Sequence, residues 1–241
     1  MISPVTELRR FLEAALVRPV AVDAPRPTPR AVRRRRLVAG VTLLVGGIGL
    51  ALTLRVRPGD PAFFRLGFAL AAVWTVGALL SGPLHLGSGQ TRAGRRSRPV
   101  VQSLVLAALL LVVFLAGALV VARVPVLRDP VLSLLDHADT GPLPLVVALT
   151  VVNGVAEELF FRGALQSALP PHAAIAGTTA LYTLATVGSG VPLLVLAALA
   201  LGLVTALQRR VTGGILGPAI THVTWSTGML LLLHPILNLA R

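Results

Sequence analysis

The sequence predicts an all-α fold: a polytopic transmembrane helix bundle of about seven spans. Three observations carry this expectation. Of 241 residues, 55% are hydrophobic, and they fall in long blocks of the length that crosses a bilayer. Charged residues make up 13%, where a soluble domain carries roughly 25%. The 22 basic residues are all arginine, giving a formal net charge of +13, and they cluster in the tail and between the apolar blocks, as at cytoplasmic flanks of membrane helices. No aromatic-interleaved basic motif accompanies them, so no nucleic-acid partner is expected. With no cysteine, a disulfide scaffold is excluded, and any metal site would need His, Asp and Glu.

Residues 1–36 read as a basic cytoplasmic tail. Val5, Leu8, Phe11, Leu12, Ala15 and Leu16 recur near a 3.6 period, as in a short amphipathic helix on a membrane surface. Pro19, Pro25, Pro27 and Pro29 then break regular structure, and the run Arg33, Arg34, Arg35, Arg36 abuts the first apolar block as a topological anchor on a solvated tail. A signal peptide is not expected, because the basic stretch lies too far in and no small-residue cleavage site follows.

Helices are expected at 37–54, 62–81, 99–122, 143–169, 172–187, 191–207 and 214–233. The first three and the last meet the ~20-residue requirement of a span. The first also offers small residues, Gly40 to Leu50, for close helix packing. The fourth is a span only if it carries Glu157, Glu158 and Arg162 within it. The fifth and sixth are short and flanked by Gly and Pro, as in tilted, broken or partly inserted segments. Loop charges set the order. Arg55, Arg57 and Asp60 are nearly balanced, whereas Arg92, Arg95, Arg96 and Arg98 have no acid among them. Arg123 and Arg128 face Asp129, Asp136 and Asp139, and Arg209 and Arg210 follow the sixth helix. Alternation from a cytoplasmic N-terminus puts every loop of unopposed arginine inside and the C-terminus outside. Residues 37–142 form the N-terminal transmembrane helices, 143–235 a helical core and 236–241 a C-terminal tail.

Of nine acidic residues, all but Glu157 and Glu158 lie in the tail or loops. A carboxylate at mid-membrane costs roughly 2.5–3.5 kcal/mol on insertion scales, so these two are functional candidates. Glu158 and Arg162 stand i,i+4 in the favourable order for an ion pair. That pairing leaves Glu157 over, about 100° around the helix, on the face of Asn153. A buried carboxylate without a cation suits a proton acceptor. A second polar island surrounds His222 and Ser226, one turn apart with Thr221 and Trp225 beside them. Pro218, one turn upstream, is expected to break a helical hydrogen bond and open room around His222.

The run Glu157-Glu158-Leu159-Phe160-Phe161-Arg162 resembles the EExxxR motif of the intramembrane endopeptidases related to CAAX prenyl proteases and bacteriocin-processing enzymes, the CPBP family. The resemblance covers roughly residues 143–235. It continues in His222-Val223-Thr224-Trp225-Ser226, similar to the family's final HxxxN-type motif. The resemblance implies that Glu157 activates a water, that Glu158 pairs with Arg162 to hold the helix, and that His222 donates to the developing oxyanion. Two positions depart from the pattern. The best match to the middle FxxxH motif is Tyr182-Thr183-Leu184-Ala185-Thr186, with Thr186 at the His position, and Ser226 stands where Asn is typical. Ser can still donate a hydrogen bond, and Thr186 could position a water by one. Glu157 and His222 alone do not assemble a three- or four-ligand site, so the cofactor stays unassigned; a divalent metal such as zinc is not supported by a full ligand set. His85, His137, His172 and His234 are expected at the interface.

The expected function is an integral membrane endopeptidase of the cell membrane, multi-pass, with its site facing the cytoplasmic half of the bilayer. Its partners are the lipid bilayer and a membrane-associated protein or peptide, whose peptide bond it cleaves with a glutamate-activated water. The alternative is a catalytically impaired family member acting as a membrane scaffold or a bacteriocin-immunity-type protein. A small transporter using the glutamate pair as a proton relay is a third reading. The all-arginine bias is that of a GC-rich bacterial source.

Overall fold

The computed structural model describes residues 3–20, 28–90 and 95–239. Pro25, Pro27 and Arg92 lie outside the described residues, as does the side chain of His137. Helices run over Pro4–Leu16 (α1), Pro29–Thr53 (α2), Ala62–Ser81 (α3), Val100–Val121 (α4) and Pro125–Asp139 (α5). Next comes Leu143–Glu158 (α6), continued by a π-helical turn over Leu159–Leu165 and a short α7, Gln166–Ala168. Ala174–Val187 (α8), Pro192–Thr212 (α9) and Leu216–Leu239 (α10) complete the bundle. Two antiparallel dipeptides, Gly89–Gln90 and Arg96–Ser97, precede α4.

Among the described residues six helices are long and apolar enough to cross a membrane, and α8 is a shorter apolar one. The chain is thus an all-α membrane bundle consistent with about seven spans. Large apolar side chains remain exposed along the bundle, Leu44 and Ile48 of α2 and Val112, Val113 and Val120 of α4 among them. A water-soluble bundle would turn such residues inward; lipid is the solvent that leaves them where they are.

Several boundaries differ from the sequence expectation. Helix α2 starts at Pro29, not at 37: Thr28 Oγ1 accepts a hydrogen bond from Ala31 N at 3.3 Å, and Pro29 occupies the first helical position, a start signal stronger than the charge of the following run. The four arginines are therefore helical rather than part of a solvated tail. Arg35 Nη2 donates to Pro83 O at 2.8 Å and Arg36 Nε to Ala168 O at 3.0 Å. Arg36 thereby caps the last carbonyl of α7, where a cation is favoured, and Arg35 ties α2 to the loop just after α3. Helix α1 leaves Val5 and Leu8 exposed but buries Ala15, and Val20 N donates to Val211 O at 2.8 Å, so the tail is docked on the end of α9. The stretch expected as the third loop contains α5, opened by Pro125 in its first turn. Helix α10 extends through 236–239, where a tail was expected. Pro218 lies in the first turn of α10, whose amides have no intrahelical partner in any case. It breaks no hydrogen bond there, and the expected opening around His222 has another origin.

The N-terminus of α10 is instead held by the loop after α3: Ile215 N donates to His85 O at 2.9 Å and Leu216 N to Leu86 O at 3.0 Å. The two backbones approach so closely that a Cβ on Gly87 (φ +79°) would lie 2.5 Å from Gly214 N. Gly87→Ala is expected to destabilise the fold by about 1–3 kcal/mol through overpacking, on top of the strain at positive φ. Equilibrium unfolding in mixed micelles measures it.

These contacts gather the start of α2, the ends of α3, α7 and α9 and the starts of α4 and α10 at one end of the bundle, with the arginines. The core between α3, the π turn and α8 is aromatic. Trp74 stacks on Phe160 (centroids 4.7 Å apart), and Phe161 meets Tyr182 edge-on at 4.8 Å.

Candidate active site

The EELFFR stretch is where the sixth helix changes winding. Seven residues from Leu159 to Leu165 form a π-helical turn, whose wide spacing leaves backbone carbonyls for outside donors. Two neighbouring helices supply them: Thr178 Oγ1 donates to Phe161 O at 3.1 Å, and Arg209 Nε to Arg162 O at 3.0 Å. The turn is stitched to α8 and α9 just below the two glutamates.

Glu158 and Arg162 have no solvent exposure, and Arg162 Nη1 donates to Glu158 Oε1 at 2.9 Å. Arg162 Nη2 reaches across to Gly202 O at 3.1 Å, and its guanidinium lies 4.7 Å over the ring of Tyr182. Tyr182 Cδ1 would be 3.0 Å from a Cβ at position 202, so glycine there allows both approaches. His222, from α10, places Nδ1 at 2.8 Å from the same Glu158 Oε1. Because Glu158 is paired with a guanidinium and accepts, Nδ1 carries the proton and donates. This fixes the imidazole with Nε2 turned away from Glu158, at 4.0 Å from Glu157 Oε2.

Glu157 is the partly open member, with its side chain 17% exposed, and Oε2 accepts a 2.8 Å hydrogen bond from the Tyr182 hydroxyl. Both Glu157 and His222 line a cavity of about 250 Å³ together with Tyr182, Thr186, Trp225 and Ser226. Leu50, Leu54, Leu134, Leu194 and Leu201 make the rest of its wall largely apolar. Position along the helices gives the cavity a direction. His222 is about 9 Å into α10 from the arginine end and Tyr182 about 12 Å into α8, at 1.5 Å per residue. Leu54 and Leu194 lie at the far ends of α2 and α9. The polar cluster thus sits in the half of the bundle nearer the arginines, and the cavity extends from it toward the opposite end.

Of the residues singled out in the sequence, Glu157, Glu158, Arg162, His222, Ser226 and Thr186 are brought to one place. Thr186 lines the cavity, but its hydroxyl donates to Thr183 O of its own helix at 2.8 Å. Asn153 does not join: its amide donates to Gly67 O at 3.2 Å and Leu149 O at 3.0 Å, tying α6 to α3. Thr221 donates to Gln208 Oε1 at 2.9 Å, outside the site. His234 pairs with Asp139 at 2.7 Å, while His85 serves through its backbone carbonyl.

The sequence reading missed the phenol of Tyr182, the carbonyl of Gly202 and the π turn. For Tyr182 a signal existed. It is the single tyrosine of the chain, in the middle of an apolar helix, where a buried hydroxyl has to find a partner. The carbonyl of Gly202 and the winding of residues 159–165 leave no such mark.

A metal fits poorly. One nitrogen of His222 and one oxygen of Glu158 are spent on each other and on Arg162, and Thr186 is spent on Thr183. Two outward-facing donors remain, Glu157 and His222 Nε2, one short of the three protein ligands of a catalytic zinc. Among the described residues no group of three or more His, Cys, Asp and Glu could hold a metal ion.

The fold and site together define a membrane-embedded helix bundle with a buried acid–imidazole cluster beside a largely apolar cavity. Residues 139–228 match the family described as type II CAAX prenyl endopeptidase, Rce1-like. That match covers the EExxxR stretch and the His222 segment, so this core is similar to that family. No curated protein and no solved structure matches it significantly.

Proposed function

We propose that the chain is an intramembrane endopeptidase that hydrolyses a peptide bond of a membrane-associated protein or peptide. One observation carries this reading: Glu157 Oε2 and His222 Nε2 are 4.0 Å apart on the wall of a single cavity, while Glu158 behind them is buried and neutralised by Arg162. Glu157 takes a proton from water as the water oxygen attacks the carbonyl carbon, and returns it to the leaving amine as the C–N bond breaks. Glu158 orients His222 and stabilises its imidazolium, as a buried carboxylate does for a catalytic imidazole. In that form Nε2–H faces the developing oxyanion, with the Ser226 hydroxyl on the same wall. Half of the residues lining the cavity are leucine and alanine, which suits an apolar or lipid-modified segment.

A quenched-fluorescence farnesylated CAAX-type peptide, incubated with the purified protein in detergent, tests the reaction. Cleavage at one bond by the wild type supports it. The inward-turned hydroxyl of Thr186 favours a second reading, a family member that keeps the fold and acts as a membrane scaffold. No cleavage by the wild type, and cleavage gained by Thr186→His, is the result that reading expects.

The direction of the cavity carries a further expectation. The substrate reaches Glu157 from the end of the bundle opposite the arginines at 33–36, 209 and 210, which under the positive-inside rule is the non-cytoplasmic end. The chain has no cysteine, so single substitutions report accessibility directly. Leu54→Cys is expected to react with a membrane-impermeant maleimide in right-side-out vesicles and Arg33→Cys only in inverted ones. Labelling of both from the same side contradicts the route.

A further inference from the structure

From the hydrogen bonds around Glu157, we infer that Tyr182 is a catalytic residue of the reaction proposed above: its phenol donates to the tetrahedral oxyanion. The inference rests on that reading and deepens it.

Beside the Nε2–H of protonated His222 and the Ser226 hydroxyl, which share the cavity wall, the inventory of donors adds Tyr182. A carbonyl under attack by a water on Glu157 needs a hydrogen-bond donor on the side where negative charge develops. Arg162 is turned toward Glu158 and Gly202. The Nδ1–H of His222 is held by Glu158, so this imidazole offers the cavity an N–H only while it is doubly protonated. Thr186 donates to Thr183. Tyr182 is a neutral donor at any pH near 7, lines the cavity, and already points its hydroxyl at the reacting carboxylate, 2.8 Å from Glu157 Oε2.

Its placement is built rather than incidental. The ring is fixed edge-on against Phe161 at 4.8 Å and under the guanidinium of Arg162 at 4.7 Å. On its other side it meets His222 at 6.4 Å between centroids. Only the terminal O–H can swing. Before reaction it orients Glu157. When the water's proton passes to Glu157, the carboxyl becomes a weaker acceptor, and the charge released at the carbonyl oxygen becomes the stronger one. The phenol hydrogen bond shifts from the first to the second. The phenol keeps its proton throughout. The water proton goes to Glu157 and then to the amine nitrogen, the C–O bond forms and the C–N bond breaks. Thr186 stands one turn beyond Tyr182 on the same helix face, so the phenol covers the ground that a longer side chain at 186 would reach.

Steady-state cleavage of the farnesylated peptide by wild type, Tyr182→Phe, Tyr182→Phe/Thr186→His and Glu157→Gln tests this. Tyr182→Phe keeps the ring and its packing. It is expected to lower kcat by roughly 10²–10³-fold, the cost of one oxyanion donor, with KM unchanged. The double variant regains much of the loss, because an imidazole at 186 replaces the donor. A packing role would alter KM or folding and would not be rescued from position 186. A difluoroketone analogue of the peptide, bound as its tetrahedral hydrate, should lose affinity for Tyr182→Phe by a similar factor, while an uncleavable amide analogue binds as before. Wild-type kcat in Tyr182→Phe alongside an inactive Glu157→Gln overturns the role of Tyr182 and leaves the endopeptidase reading standing. Equal turnover by wild type and Glu157→Gln overturns both.

Discussion

Glu157→Gln is expected to lower kcat on the farnesylated peptide by roughly 10²–10⁴-fold, the usual worth of a positioned general base. The amide keeps the shape of the side chain and still accepts from Tyr182 through its oxygen, so folding and KM should change little. It cannot take a proton from water, which is the step proposed for Glu157. Glu158→Gln should act differently even though the two residues are adjacent. It leaves Glu157 intact but takes away the carboxylate that accepts from both Arg162 and His222. The loss there falls on stability as well as on rate.

Arg162→Ala is expected to be the most destabilising single change in the core, costing about 3–5 kcal/mol, because a buried carboxylate is left without its cation. Both side chains have no solvent exposure, so no water screens the remaining charge. Gly202 O also loses the donor it receives from Arg162. Replacing the pair together, Glu158→Gln with Arg162→Met, should recover much of the stability, since no ion is then stranded, but not the activity, since His222 loses its orienting partner. Unfolding titrations in mixed micelles read the stability and the peptide assay reads the rate. The pair between His234 and Asp139, with side chains 34% and 49% exposed, is the contrast: Asp139→Asn should cost less than about 1 kcal/mol.

Much of the fold was legible because bilayer thickness sets helix length, and hydropathy records it. The helices at 62–81 and 99–122 differ from the observed Ala62–Ser81 and Val100–Val121 by no more than a residue at either end. The failures occurred where helices leave the apolar region. Thr28 and Pro29 start α2 ahead of the basic run, and Pro125 starts α5 in what charge alone marked as a loop. Local capping chemistry outweighed polarity at both places. Pro218 was misread for a related reason. A proline opens a kink in a helix interior but is harmless in the first turn, and the sequence did not show that α10 begins at Leu216.

The site was legible to the extent that burying charge is costly. Glu157, Glu158 and Arg162 stand out in an apolar helix, and His222 does so in another. What the sequence left open is how they face one another. Glu158 accepts from two elements at once, Arg162 from its own helix and His222 from α10. That frees Glu157 toward the cavity and toward Tyr182. Asn153 illustrates the limit of spacing arguments. It shares the i,i+4 face of Glu157, yet its amide is drawn to the carbonyl of Gly67 on α3, because the absence of a side chain there brings the helices close.

The most direct test is cleavage of the farnesylated peptide in water enriched in ¹⁸O, with wild type and Glu157→Gln prepared side by side. Hydrolysis by a water on Glu157 predicts a single new C-terminus carrying one ¹⁸O atom under single-turnover conditions, formed by the wild type and all but lost in the variant. Fragments formed equally by both proteins, or an intact peptide with the wild type, would contradict it.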